Sequence, residues 1–123
     1  MLTESEHVRQ IAREPKRRWF SDEYFDLIVW LGNRREIIGF QLCYDKLGDE
    51  RALTWKKETG YAHHRVDAGE RGRVSGKATP ILVTDGDFNH TAIAHVFKER
   101  SAQIDKKVSR FVYNKLLQYR SQF

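Results

Sequence analysis

The pattern along Tyr24 to Leu31 (YFDLIVWL) and Glu36 to Tyr44 (EIIGFQLCY) is predominantly apolar, and both stretches are rich in β-branched and aromatic residues. Residues of these types suit the pleated, half-buried surface of a strand. Gly32, Asn33, Arg34 and Arg35 lie between them, and a four-residue loop there sets Leu27 against Phe40, Val29 against Ile38 and Phe25 against Leu42. Apolar side chains then meet apolar side chains, which is what specifies register when one face is buried. A tight turn centred on Gly48-Asp49 pairs Leu42 with Trp55 and Tyr44 with Leu53, and a third at Thr59-Gly60 pairs Trp55 with His64 and Leu53 with Val66. The pattern predicts an antiparallel meander over residues 19–67.

In this register the opposite face carries Asp26, Gln41, Lys56 and His63 in one row, beside an apolar patch of Ile28, Trp30 and Ile37 with a gap at Gly39. A carboxylate, an amide, an ammonium and an imidazole in line form a candidate binding face. The plainer reading is an exposed sheet surface with opposite charges side by side.

The periodicity changes after the meander. Ile93, Phe97, Ile104, Val108, Phe111, Val112 and Leu116 keep a helical period, so residues 87–120 are predicted to be a helical segment capped by Asp87 or Asn89. Ser101 to Asp105 could interrupt it, with Asp105 capping a second helix. A short N-terminal helix over residues 4–14 would end at Pro15, within an arm of residues 1–18. Residues 68–80 read as a basic, glycine-rich loop, and residues 81–83 as a short edge strand or an extended arm. The predicted fold class is α+β: a four- to five-stranded antiparallel meander packed against a long C-terminal helix that residues 101–105 could break.

A chain of 123 residues makes a single domain with one modest core. The one cysteine, Cys43, cannot form an internal disulfide or a cysteine-based structural zinc site. The longest apolar run, Leu27 to Leu31, is too short to span a bilayer, and the first ten residues are charged, so a cytoplasmic location is expected. Net charge is +5, with the excess concentrated in Lys98, Arg100, Lys106, Lys107, Arg110, Lys115 and Arg120. Such a run suits the solvent face of an ordinary helix and also a phosphate backbone.

Motif chemistry is thin. Gly72 to Thr79 (GRVSGKAT) is similar to a phosphate-binding loop, but it has three residues between its glycines where four are needed, and Ala78 follows its lysine. Arg71, Arg73 and Lys77 are therefore candidate phosphate contacts on an open loop rather than a nucleotide cradle. His63 and His64 are neighbours on a strand and point to opposite faces, so one ion cannot take both. Asp85 and Asp87 joined to His63 or His90 would make a hydrolytic metal site. An endonuclease pattern fails at Gln41-Leu42-Cys43, where cysteine stands in place of the lysine.

RRWF (Arg17 to Phe20), FDLIVW (Phe25 to Trp30), GFQLCYDK (Gly39 to Lys46), LTW (Leu53 to Trp55), HHRVD (His63 to Asp67) and TPILVTDG (Thr79 to Gly86) together resemble a family of short, uncharacterised bacterial proteins. The resemblance implies a stand-alone domain and assigns no functional residues.

The expected function is thus a small non-enzymatic binding or protein-interaction module using the outer sheet face, with a protein, a small ligand or a second copy as partner. The alternatives are nucleic-acid binding through the basic loop and C-terminal helix, and a hydrolase with a metal site. No cofactor, catalytic residue or resident metal ligand is assigned.

Overall fold

The computed structural model describes residues 1–67, 81–84 and 88–120. One antiparallel sheet holds β1 (Thr3–Glu4), β2 (Lys16–Ser21), β3 (Phe25–Leu31), β4 (Ile37–Tyr44), β5 (Arg51–Lys56), β6 (Gly60–Asp67) and β7 (Ile81–Thr84), arranged in chain order. Six of these have four or more residues, and β1 is a two-residue strip on the edge. The helices α1 (His90–Arg100) and α2 (Lys106–Leu117) form a hairpin on one face. The architecture is α+β.

Burial explains why these stretches became strands. Phe20, Phe25, Leu27, Val29, Phe40, Leu42 and Leu53 alternate along β2 to β5 and are fully buried, and Ile93, Phe97, Val108, Val112 and Leu116 close over them from the helices. Phe25 meets Phe97 edge to face at 5.8 Å, and Trp55 meets Phe111 at 5.4 Å.

The predicted long helix is two short ones. Asp105 accepts the Lys107 N–H at 2.8 Å and caps α2. Ser101, which is buried, ends α1 with its N–H on the Phe97 carbonyl and places its hydroxyl 2.6 Å from that of Ser109. Asn89 caps α1 through the Ala92 N–H.

The predicted N-terminal helix does not form. A helix of that length is marginal unless an apolar face is packed, and here Ile11 stays 41% exposed. The segment instead runs beside β2: Ser5 N–H donates to the Trp19 carbonyl at 2.8 Å, and the Gln10 amide bonds both the N–H and the carbonyl of Arg17 at 2.9 Å. Leu2 is fully buried, and its N–H donates to the Arg100 carbonyl at 2.8 Å.

Strand β2 was hidden in the sequence by the basic run Lys16-Arg17-Arg18. It pairs with β3 over its whole length, setting Phe20 against Leu27 in the core and Trp19 against Ile28 on the far side. Arg18 stays near the helical layer, where its guanidinium takes both Glu4 oxygens at 2.8 Å and Asp105 at 3.0 Å. This joins β1, β2 and the cap of α2.

All three predicted registers shift. Strands β3 and β4 pair Phe25 with Tyr44, Leu27 with Leu42 and Val29 with Phe40, with a bulge between Trp30 and Leu31 that leaves Leu31 opposite Ile37. Leu42 meets Leu53 and Phe40 meets Trp55, two residues from the expected pairing, so the faces of β5 are preserved. Strand β6 pairs Leu53 with His63 and Trp55 with Tyr61, an odd displacement that reverses its faces. No helix among the described residues is long and apolar enough to cross a membrane.

Candidate functional site

The helices cover one side of the sheet, and the register defines the other as three cross-strand rows. Arg17, Trp30, Gly39, Lys56 and Gly60 form the first, and Trp19, Ile28, Gln41, Thr54 and Ala62 the second. Ser21, Asp26, Cys43, Ala52 and His64 form the third. Trp19, Ile28 and Trp30 are half-buried in an apolar stripe on this side of the sheet.

Five of the seven residues predicted for this face are on it: Asp26, Ile28, Trp30, Gln41 and Lys56. Two are not. The β3–β4 bulge carries Ile37 to the core side, where it packs beside Leu31 against the buried cluster. His63 points into the core with only 5% exposure, because the register of β6 is odd relative to the predicted one. Its place on the outer face is taken by His64. Asp26 and His63 therefore lie on opposite sides of the sheet, which dissolves the predicted four-residue row.

The gap foreseen at Gly39 is filled. A Cβ at Gly39 would lie 3.2 Å from Cε3 of Trp30 and 3.4 Å from Cγ of Lys56, so the indole leans across the glycine toward the lysine stem. The Lys56 ammonium sits 5.6 Å from the centre of the Trp30 ring, a cation–π pair at the first row. Thr54 and Gln41 lie within 3.5 Å of one another in the second row.

A second set of charged groups lies at the third row and the loop beyond it. Asp26 pairs with Lys46 at 3.1 Å, and Lys46 also donates to the Asp22 carbonyl at 2.8 Å. Burial pushes the Glu50 carboxyl up from its usual range, and the nearby Asp26 charge adds to it. Burial likewise raises the Cys43 thiol, which keeps it protonated and a poor nucleophile.

The core side holds a polar feature that the sequence did not disclose. Tyr44 Oη lies 2.7 Å from His63 Nε2, both residues are buried, and Phe88 stacks on His63 at 4.5 Å. Tyr119 meets Phe88 at 4.8 Å and Tyr61 at 5.3 Å, while Tyr61 donates to the Lys115 carbonyl at 2.7 Å. Aromatic residues recurring on β4, β6 and the start of α1 were the available signal, and it required the correct β6 register to be read.

The candidate phosphate contacts Arg71, Arg73 and Lys77 and the aspartates Asp85 and Asp87 lie outside the described residues. Among the described residues no group of three or more histidine, cysteine or carboxylate side chains is placed to hold a metal ion. No protein-family model matches this chain, and no curated protein or solved structure matches it.

Proposed function

We propose that the protein is a non-enzymatic binding module that meets a protein partner through its outer sheet face, in the first instance a second copy of itself. The observation that supports this is the half-exposed stripe of Trp19, Ile28 and Trp30 on the side of the sheet opposite the helices. A contiguous apolar strip rimmed by polar groups is the usual signature of a contact surface. Its rim is polar, with Arg17 and Lys56 in the row at one end and the Asp26–Lys46 pair at the other. A two-fold axis through Ile28 and Gln41 would lay the apolar stripe of one copy over that of the next, the self-complementarity that an isologous dimer requires.

Sedimentation equilibrium of the whole chain tests this directly. The native protein is expected to dimerise, and Trp30→Glu and Trp19→Glu to sediment as folded monomers with unchanged helicity. A native monomer at all concentrations, or a dimer indifferent to both substitutions, would remove the outer face from that role.

A further inference from the structure

Two cavities of about 390 Å³ each flank the first turns of α2, on the helical side of the molecule. One opens between β2, the β3–β4 loop and α2, where Lys16, Arg18, Arg35 and Lys107 surround a floor of Leu31, Ile37 and Val108. The other lies in the helical hairpin and is lined by Lys98, Lys106, Arg110, Ser109, Tyr113 and Asn114.

Asp105 is the one carboxylate that lines either cavity. It is already engaged, by the Arg18 guanidinium at 3.0 Å and the Lys107 N–H at 2.8 Å. Arg18 is in turn spent on Asp105 and Glu4. Lys16, Arg35 and Lys107 on one side, and Lys98, Lys106 and Arg110 on the other, have no carboxylate partner among the described residues. Lys106 and Lys107 are consecutive, and the ~100° turn per helical residue gives one to each cavity. The two basic pockets are thus halves of one strip divided by a single helical turn.

We infer that this strip binds a single-stranded nucleic acid, whose phosphates cross the first turn of α2 from one cavity to the other. A chain of regularly spaced phosphates is the ligand that meets separate clusters of uncompensated cations along a line. The apolar floor at Leu31 and Ile37 offers a surface for bases beside the phosphate path. Of the residues that line the two cavities, Arg17 alone also belongs to the three rows of the outer sheet face.

Fluorescence anisotropy with a labelled 20-residue oligothymidylate and the matching oligouridylate, between 50 and 200 mM potassium chloride, reads the proposal out. Six phosphate contacts predict a log–log salt slope near −4, and so a loss of affinity of roughly 300-fold over that range. Replacing Lys106, Lys107 and Arg110 together by alanine should reduce the slope by about 2. All three are on the surface, so circular dichroism should be unaltered. Lys57→Ala, on the loop between β5 and β6, should change neither value, and Trp30→Glu should bind as the native chain does. The inference is overturned by absence of binding at 50 mM salt, by a slope that the triple variant leaves unchanged, or by a mononucleotide bound as tightly as the 20-mer. Equal binding to phosphatidylglycerol vesicles would also overturn it, since the strip would then be a general anion surface.

Discussion

The Trp30 indole leans over Gly39 so closely that any side chain at that glycine would strike it, with a Cβ falling 3.2 Å from Cε3 and 3.0 Å from the Trp55 carbonyl oxygen. The carbonyl belongs to the neighbouring strand and cannot move without disturbing the ladder. Gly39→Val should therefore destabilise the protein by about 1–3 kcal/mol, as other overpacked sites do. Urea unfolding measures the loss, and a red shift of tryptophan emission would show Trp30 lifted from the sheet.

Tyr44→Phe removes the hydroxyl that faces His63 Nε2 at 2.7 Å without changing the ring that packs against Phe88. The expected cost is about 1 kcal/mol, the net worth of a buried hydrogen bond. Chemical denaturation at neutral pH checks it, with the histidine ring resonances of the variant reporting the changed environment of His63.

Asp22 gives the fold a built-in acid sensitivity. Its burial alone would raise the carboxyl, but the N–H groups of Phe25 and Tyr24 and the Arg100 guanidinium together outweigh that and hold it below the usual range. A carboxylate with a depressed folded-state pKa stabilises the protein above the ordinary carboxylate range, and that contribution is lost as pH falls through the folded value. Asp22→Asn should lower stability at pH 7 and flatten the acid limb of the stability curve. Thermal unfolding between pH 2 and 7 distinguishes this from a uniform loss.

Asp105 serves two partners, the Lys107 N–H and the Arg18 guanidinium. Asp105→Ala should cost about 1–2 kcal/mol, chiefly through the lost helix cap. Asp105→Ser, which keeps a capping oxygen and drops the charge, should recover most of that deficit in the same denaturation assay.

Why the outer face was largely legible and β6 was not comes down to how loops count residues. Between β3 and β4 the loop is Asn33 to Arg35, closed by the Gly32 N–H on the Glu36 carbonyl at 2.8 Å with Arg35 in the left-handed region at φ 67°. That is one residue shorter than the four-residue reading, and the bulge between Trp30 and Leu31 adds one back, so parity survives for Asp26, Ile28, Trp30 and Gln41. Ile37 lies between the two irregularities and is misassigned. At the next hairpin but one, Gly60 takes φ 84° to close a loop of Lys57 to Thr59. No bulge compensates there, and the turn displaces the pairing by three residues, an odd number that sends His63 inward and His64 outward. Val66 and Ile38, which the predicted registers set against Leu53 and Val29, stay out of the buried cluster for the same reasons. Strand β2 was missed because cations obscured its alternation, although Trp19 and Phe20 divide between the two faces as any strand pair must.

Every strand in the sheet pairs only with its neighbours in sequence, and this bears on how fast the molecule assembles. From β2 to β6 these hairpins close short loops, so the centre of the sheet can grow one strand at a time without a costly search between distant segments. The step that spans nearly the whole chain is the seating of Leu2 beneath the end of α1, where its N–H reaches the Arg100 carbonyl. An anchor of that reach belongs late in the folding reaction. Leu2→Ala should accordingly leave the refolding rate almost untouched and accelerate unfolding, so that the amino-terminal clasp governs how long the native state lasts rather than how soon it forms.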